Sequence, residues 1–136
     1  MDNKKLMLMA IDARKNAYVP YSNFQVGAAL LASSGKVYTG CNIENASYPV
    51  SLCAERTAFS KAISSGETKF IKIAIFGGKK NTEKFDLCVP CGMCRQFMSE
   101  FCDESIFEVL LCEDINNIKS FKLMELFPYS FKLKGE

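Results

Sequence analysis

The chain has 136 residues, 49% of them hydrophobic, with a formal net charge of +2 and no histidine. That length suits a single domain over 1–136, able to bury about two thirds of its unfolded surface. The near-neutral charge offers no basic stripe for nucleic acid, and the absence of histidine excludes Ser-His-Asp, Cys-His and imidazole–metal chemistry. Lys79-Lys80 and the Lys132/Lys134 tail read as solvated surface. No apolar run approaches the ~20 residues that cross a membrane, and the stretch after Met1 is soon broken by Asp12, Arg14 and Lys15, unlike a secretory signal. Seven cysteines without an export signal indicate a reduced, cytoplasmic protein whose thiols serve a metal or the core.

In chain order, Leu6, Met9, Ala10, Ala13 and Ala17 recur at helical spacing and predict an amphipathic helix over 3–17. Pro20 closes that segment. The run from Phe24 to Ala32 predicts a strand, Ser33-Ser34-Gly35 a turn, and Lys36 to Cys41 the return strand of a hairpin. Gly27 inside the first strand implies close approach by another backbone or a ligand. Residues 42–49 form a polar loop. A helix follows over 52–65 with Gly66 as its C-terminal cap, so that Cys53 lies in its first turn. Phe70 to Phe76 is a strand covered on both faces, and Gly77 to Asp86 a polar loop. Pro90 suits the first position of a helix reaching about Phe101, and Phe107 to Cys112 is a further strand. Strand–helix–strand over 70–112 implies a parallel pair with a right-handed crossover. A short helix is expected over 119–126. The class is α/β, a mixed sheet with helices on both faces.

Chemistry concentrates in Cys53-Ala54-Glu55-Arg56 and Pro90-Cys91-Gly92-Met93-Cys94-Arg95-Gln96. Cys91 and Cys94 share one face of a helix and suit one metal ion; Cys53 supplies a third thiolate. Three protein ligands leave a tetrahedral zinc an open position, the signature of a catalytic site. Two helix starts converging on the ion favour the thiolate form. Without histidine, Glu55 is the candidate proton carrier. An all-thiolate set gives zinc a net negative charge and weakens it as a Lewis acid, so Arg56 is the candidate that withdraws charge from the sulfurs; a plain surface arginine is the competing reading.

The pattern Cys-Ala-Glu followed by Pro-Cys-Gly-x-Cys resembles the zinc-dependent cytidine deaminases, in particular the small homotetrameric type. The match runs from about residue 20 to 131. The resemblance implies a three-layer α/β/α sandwich with a mixed, about five-stranded sheet, one zinc per subunit, and hydrolysis of cytidine and 2′-deoxycytidine to the uridines plus ammonia in pyrimidine salvage. Glu55 would carry protons between zinc-bound water, ring nitrogen N3 and the leaving amine. The resemblance also makes Phe24 the ring that stacks on the pyrimidine, and Asn42 and Glu44 the ribose-binding pair. A carboxylate and an amide suit that task because they combine acceptors with a directional donor. Ala54 would contact the base through its backbone amide, and Phe131 would reach a neighbouring subunit's site. Tyr48 is a candidate subunit contact. No nucleic-acid or membrane partner is implied.

Three other readings compete. The substrate could be another cytosine-bearing molecule, such as an aminoglycosyl nucleoside. Cys88, three residues before Cys91, could close a four-thiolate structural site, but Glu55 would then have no use beside the metal. Polynucleotide editing lacks a basic, aromatic-lined groove. Cys41, Cys102 and Cys112 read as small core residues.

Overall fold

The computed structural model describes residues 1–80, 85 and 87–133. The parts of the expected loop at 81–84 and 86, and Lys134 of the tail, lie outside the described residues. The elements are α1 (Asn3–Ala13), β1 (Phe24–Ala32), β2 (Val37–Cys41), α2 (Ala54–Ser64), β3 (Phe70–Lys79), α3 (Gly92–Phe101), β4 (Glu108–Leu111), β5 (Lys119–Lys122) and α4 (Leu123–Leu126). Five strands form one sheet in the order β2-β1-β3-β4-β5. β3 and β4 pair in parallel around α3, while β1 pairs antiparallel with both β2 and β3, as does β4 with β5.

Strand alternation sorts the core into two layers. Ala28 and Leu30 of β1, Ile73 and Ile75 of β3, and Val109 and Leu111 of β4 pack with Ala54, Ala58 and Phe59 of α2 and Met98 of α3. The intervening Ala29, Leu31, Ala74, Phe76 and Leu110 pack on the other face against Leu6, Met7 and Ala10 of α1. Side chains at successive strand positions point to opposite faces, so apolar runs in both registers require cover on both sides. Phe59 ties the α2/α3 layer together, with ring centroids 5.0 Å from Phe70 and 6.1 Å from both Phe97 and Phe107. It thereby fixes α2 relative to α3, the pair on which the site depends.

Two close approaches seat the helices. A Cβ at Gly27 would lie 1.9 Å from the Ala10 carbonyl oxygen, so α1 rests directly on β1, and the approaching group anticipated from the sequence is helix backbone. A Cβ at Gly40 would lie 2.6 Å from both Ala54 O and Ala58 N, which brings the start of α2 down onto β2. α2 ends as expected at Gly66 (φ +99°), with Gly66 N–H donating to Ile63 O and Glu67 N–H to Ala62 O.

The structure revises several boundaries. The first helix stops at Ala13 and tightens into a 3-10 turn over Arg14–Asn16, because the chain must swing Tyr18 N–H onto Asn42 O at 3.0 Å. β3 runs on through Gly77 and Gly78, since β1 begins at Phe24 and offers partners to Lys79. The helix expected over 119–126 is half strand: Lys119–Lys122 pairs with the open edge of β4, Phe121 opposite Val109, and only Leu123–Leu126 is helical. Edge pairing satisfies a whole row of β4 backbone groups, which outweighs the local helical pattern. No helix among the described residues is long and apolar enough to cross a membrane.

Candidate active site

Both cysteine stretches sit at helix starts, and each helix begins two residues later than the sequence pattern suggests, at Ala54 and Gly92. Cys53 is the N-cap of α2 rather than a member of its first turn: its backbone is extended (φ −76°, ψ 154°), and its carbonyl accepts from Thr57 N–H at 3.1 Å. Cys91 is likewise the N-cap of α3 (φ −67°, ψ 168°), so Pro90 precedes the helix instead of opening it. An N-cap residue is already bent away from the helix, which swings its sulfur over the helix end, where the dipole is positive. Cys94, in the first turn of α3, is fully buried.

The Sγ atoms of Cys53, Cys91 and Cys94 lie within 4.8 Å of one another, with Cys53 and Cys91 3.9 Å apart. Sulfurs bound to one tetrahedral zinc at 2.3 Å stand ~3.8 Å apart. The donor set therefore fits zinc in number, softness and spacing. Cys88 is outside this group: its sulfur lies beside Gly77 on β3, where an added Cβ would come within 2.9 Å. The four-thiolate alternative has no support in this placement.

The thiols share their protons unequally. Hydrogen bonding from Cys94, against the cost of burial and with help from Arg56 and Cys91, draws the Cys53 thiol down to about 5. Cys94, donating to Cys53 and desolvated, is pushed strongly up. In the metal-free protein one thiolate is thus held by its neighbours. Arg56 Nη2 donates to Ser51 O at 3.0 Å and lies 3.8 Å from Cys53 Sγ. Its Nε is buried with no hydrogen-bond partner among the described residues, so the guanidinium keeps an uncommitted donor next to the sulfurs.

Glu55, in the first turn of α2, is 4% exposed. Burial, reinforced by the Cys53 thiolate, raises its carboxyl to about 7 against the pull of its own backbone N–H, Cys94 and Arg56. It opens onto a cavity of about 490 Å³ that Cys53, Cys91, Ala54, Asn42 and Glu44 also line. That volume suits a small ligand of nucleoside size.

Asn42 and Glu44 are both fixed before any ligand arrives. Asn42 Oδ1 accepts from Val26 N–H at 2.9 Å and its Nδ2 donates to Phe24 O at 2.8 Å. Glu44 Oε1 accepts from the successive N–H groups of Tyr21 (3.0 Å) and Ser22 (3.1 Å), and Oε2 accepts from the Ser22 hydroxyl. These bonds outweigh burial and hold the Glu44 carboxyl below its usual range. The segment expected as a loop is laced by bridges pairing Ile43 with both Tyr18 and Leu52.

Phe24 and Phe131 do not line the cavity. Phe24 is half-buried against the core, with a ring edge near Gly77. Phe131 is 70% exposed, its backbone N–H and C=O both bonded to the Gln96 side chain at 3.0 and 2.9 Å. Tyr48 lines the cavity mouth, is largely exposed and meets Tyr21 edge-on. Sequence reasoning missed Ser22, Ser51 and Gln96. Gln96 stands inside the second cysteine stretch, but the partner it would take lies 35 residues on; Ser51 acts through its carbonyl, which no side-chain pattern reveals.

Residues 1–109 match the family described as the cytidine and deoxycytidylate deaminase zinc-binding region. A cytidine deaminase of Sporosarcina psychrophila is 44% identical over 96% of this chain and 92% of its own length. One from Halalkalibacterium halodurans is 47% identical, covering 96% and 95%. The crystal structure of cytidine deaminase from Burkholderia pseudomallei superposes with a TM-score of 0.86 at 41% identity, over 96% of this chain and all of that one. With three thiols and a buried carboxylate brought together on this fold, the chain belongs to the cytidine and deoxycytidylate deaminase family.

Proposed function

We propose that this protein hydrolyses cytidine and 2′-deoxycytidine to uridine and 2′-deoxyuridine with release of ammonia, with one zinc held by Cys53, Cys91 and Cys94. The observation that carries this reading is Glu55: a buried carboxylate, raised to about 7, beside a three-thiol group on a nucleoside-sized cavity. A structural metal site has no use for it. Bound zinc supplies the Lewis acidity that brings a water's pKa from ~15.7 to roughly 7.

Glu55 performs the proton transfers. Its carboxylate takes the proton of the attacking water and delivers it to ring nitrogen N3, which lets C4 accept the oxygen. The remaining proton, from the new C4 hydroxyl, passes through the same oxygens to the exocyclic amine; the C4–N bond breaks, C4 becomes a carbonyl and ammonia departs. A carboxyl near neutrality serves both directions of transfer. Arg56 holds charge away from Cys53 Sγ and anchors the start of α2 to Ser51 O. The small Ala54, the first residue of α2, leaves room for the base against its backbone amide. Asn42 and Glu44 hold the ribose hydroxyls from pre-set positions, a saving in ordering cost on binding. The family resemblance assigns Phe24 to the pyrimidine and the exposed Phe131 to a neighbouring subunit's site, although neither ring lines the cavity of the single chain.

The lining also separates nucleosides from nucleotides. Its charged residues, among those described, are Glu44, Glu55 and Arg56, and Arg56 is engaged with Ser51 and Cys53. A 5′-phosphate would meet carboxylates, and Arg56, the one cation of the described lining, has its remaining donor Nε buried, so the free nucleoside is favoured. The wider reading is a cytoplasmic enzyme of pyrimidine salvage, one domain over 1–136, assembled as a homotetramer with sites near subunit interfaces and with no nucleic-acid or membrane partner. Ammonia release by the zinc-loaded protein from cytidine, 2′-deoxycytidine and cytidine 5′-monophosphate tests the core of it. Release from the two nucleosides and little from the nucleotide is expected; release from none, with zinc bound and the fold intact, overturns the reading.

A further inference from the structure

We infer that Ser22 is a positioning residue for nucleoside binding, acting through Glu44; the inference rests on the ribose assignment of Glu44 made above. The Ser22 hydroxyl accepts a hydrogen bond from Phe24 N–H at 3.0 Å and donates to Glu44 Oε2. An ionised carboxylate only accepts, and the N–H of Phe24 only donates, so the direction of both bonds is fixed. Ser22 contributes a second bond through its own N–H, and with Tyr21 N–H forms a concave pair of donors around Oε1, the backbone arrangement that captures anions.

The turn is built to present those donors. Asn23 takes a left-handed backbone (φ 60°), Asn23 N–H closes onto Val19 O at 3.1 Å, and Lys80 N–H ties Asn23 O to the end of β3 at 2.7 Å. Three donors thus immobilise Glu44, a side chain that otherwise has several rotamers, and leave it acceptor capacity toward the cavity. The same hydroxyl couples this carboxylate to the first backbone amide of β1, so a single oxygen sets Glu44 relative to Phe24.

Removing it should loosen binding and leave the chemistry alone. In Ser22→Ala, KM for cytidine is expected to rise about tenfold with kcat within about twofold, as for loss of one charge-assisted bond that acts equally in ground and transition states. Ser22→Thr, which keeps the hydroxyl, should restore KM. Zinc content and thermal midpoint control for folding. The deciding measurement is the cycle of Ser22→Ala, Glu44→Ala and the double variant. If Ser22 works through Glu44, the double variant matches Glu44→Ala; a further tenfold loss on top of Glu44→Ala overturns the inference. A raised KM in Glu44→Ala with an unchanged KM in Ser22→Ala refutes the Ser22 role alone. An unchanged KM in Glu44→Ala removes the ribose assignment and the Ser22 role with it.

Discussion

Glu55→Gln should make the metal-free protein more stable while abolishing its activity. The side chain is 4% exposed and its carboxyl rises from 4.5 to about 7, chiefly through burial. Each pKa unit is 1.36 kcal/mol, so the ionised form costs about 3 kcal/mol of folding free energy. The sign follows from which state binds protons. Between pH 4.5 and 7 the folded chain keeps a proton on Glu55 that the unfolded chain has released, so stability falls as pH rises through that window. Below it the cost is absent; above it the cost is complete. Glutamine is nearly isosteric and carries no charge at any pH.

Urea unfolding followed by far-UV circular dichroism, on zinc-stripped protein in reductant, measures this directly. At pH 8 the Gln variant should exceed the wild type by ~2–3 kcal/mol, and the difference should close by about pH 4. Cys53 titrates in the same range and interacts with Glu55, so the same comparison in a Cys53→Ser background separates the two groups. With zinc restored, kcat for cytidine should fall at least ~10²-fold, the usual scale for losing a general acid–base group. A stability difference independent of pH, or a Gln variant weaker than wild type at pH 8, would refute the reasoning, because the burial cost of the charge would then not exist.

Other perturbations probe the remaining parts. Arg56→Gln removes the donor 3.8 Å from Cys53 Sγ; kcat should drop about tenfold and the acid limb of the pH–rate profile should move to higher pH, whereas an unchanged profile would make Arg56 a structural anchor only. Cys88→Ser should keep one zinc per chain by metal analysis, and Cys94→Ser should not, since Cys88 lies outside the thiol group. Gly27→Ala would drive a Cβ to within 1.9 Å of Ala10 O, so a loss of ~3 kcal/mol or more in urea unfolding is expected; wild-type stability would mean that α1 shifts freely on β1.

The sequence carried the site's reactive groups more clearly than their supports. Cys-x-x-Cys at a helix start and Cys53 two residues before Glu55 are local patterns, and the fold only had to bring two helix ends together. The supports are long-range and made of backbone. Glu44 is gripped by N–H groups of Tyr21 and Ser22, in a turn that depends on the left-handed Asn23. Nothing in Tyr-Ser-Asn announces a receptor for a carboxylate 22 residues downstream. The misread helix over 119–126 has the same origin. Leu123, Met124 and Leu126 continue a helical pattern, while the strand at Lys119–Lys122 exists because β4 presents an edge. Propensity describes the segment, and the neighbour decides it.

The two N-cap cysteines extend the argument from Glu55 to the whole site. Neither Cys53 nor Cys91 makes a side-chain capping bond to its helix. A serine or aspartate at such a position typically contributes ~1 kcal/mol. Cys53, Cys91 and Glu55 are therefore each a locally unfavourable choice, and all three sit within one turn of the two helix starts that Phe59 holds together. A sequence selected for stability alone would not place them there. What offsets them is the ligand they are arranged to bind: a cation at the sulfurs ties α2 to α3 and stabilises the thiolate forms. Chelation should lower the thermal midpoint of the wild type and of Glu55→Gln by similar amounts, because both keep the three thiols, whereas Cys94→Ser should lose the response.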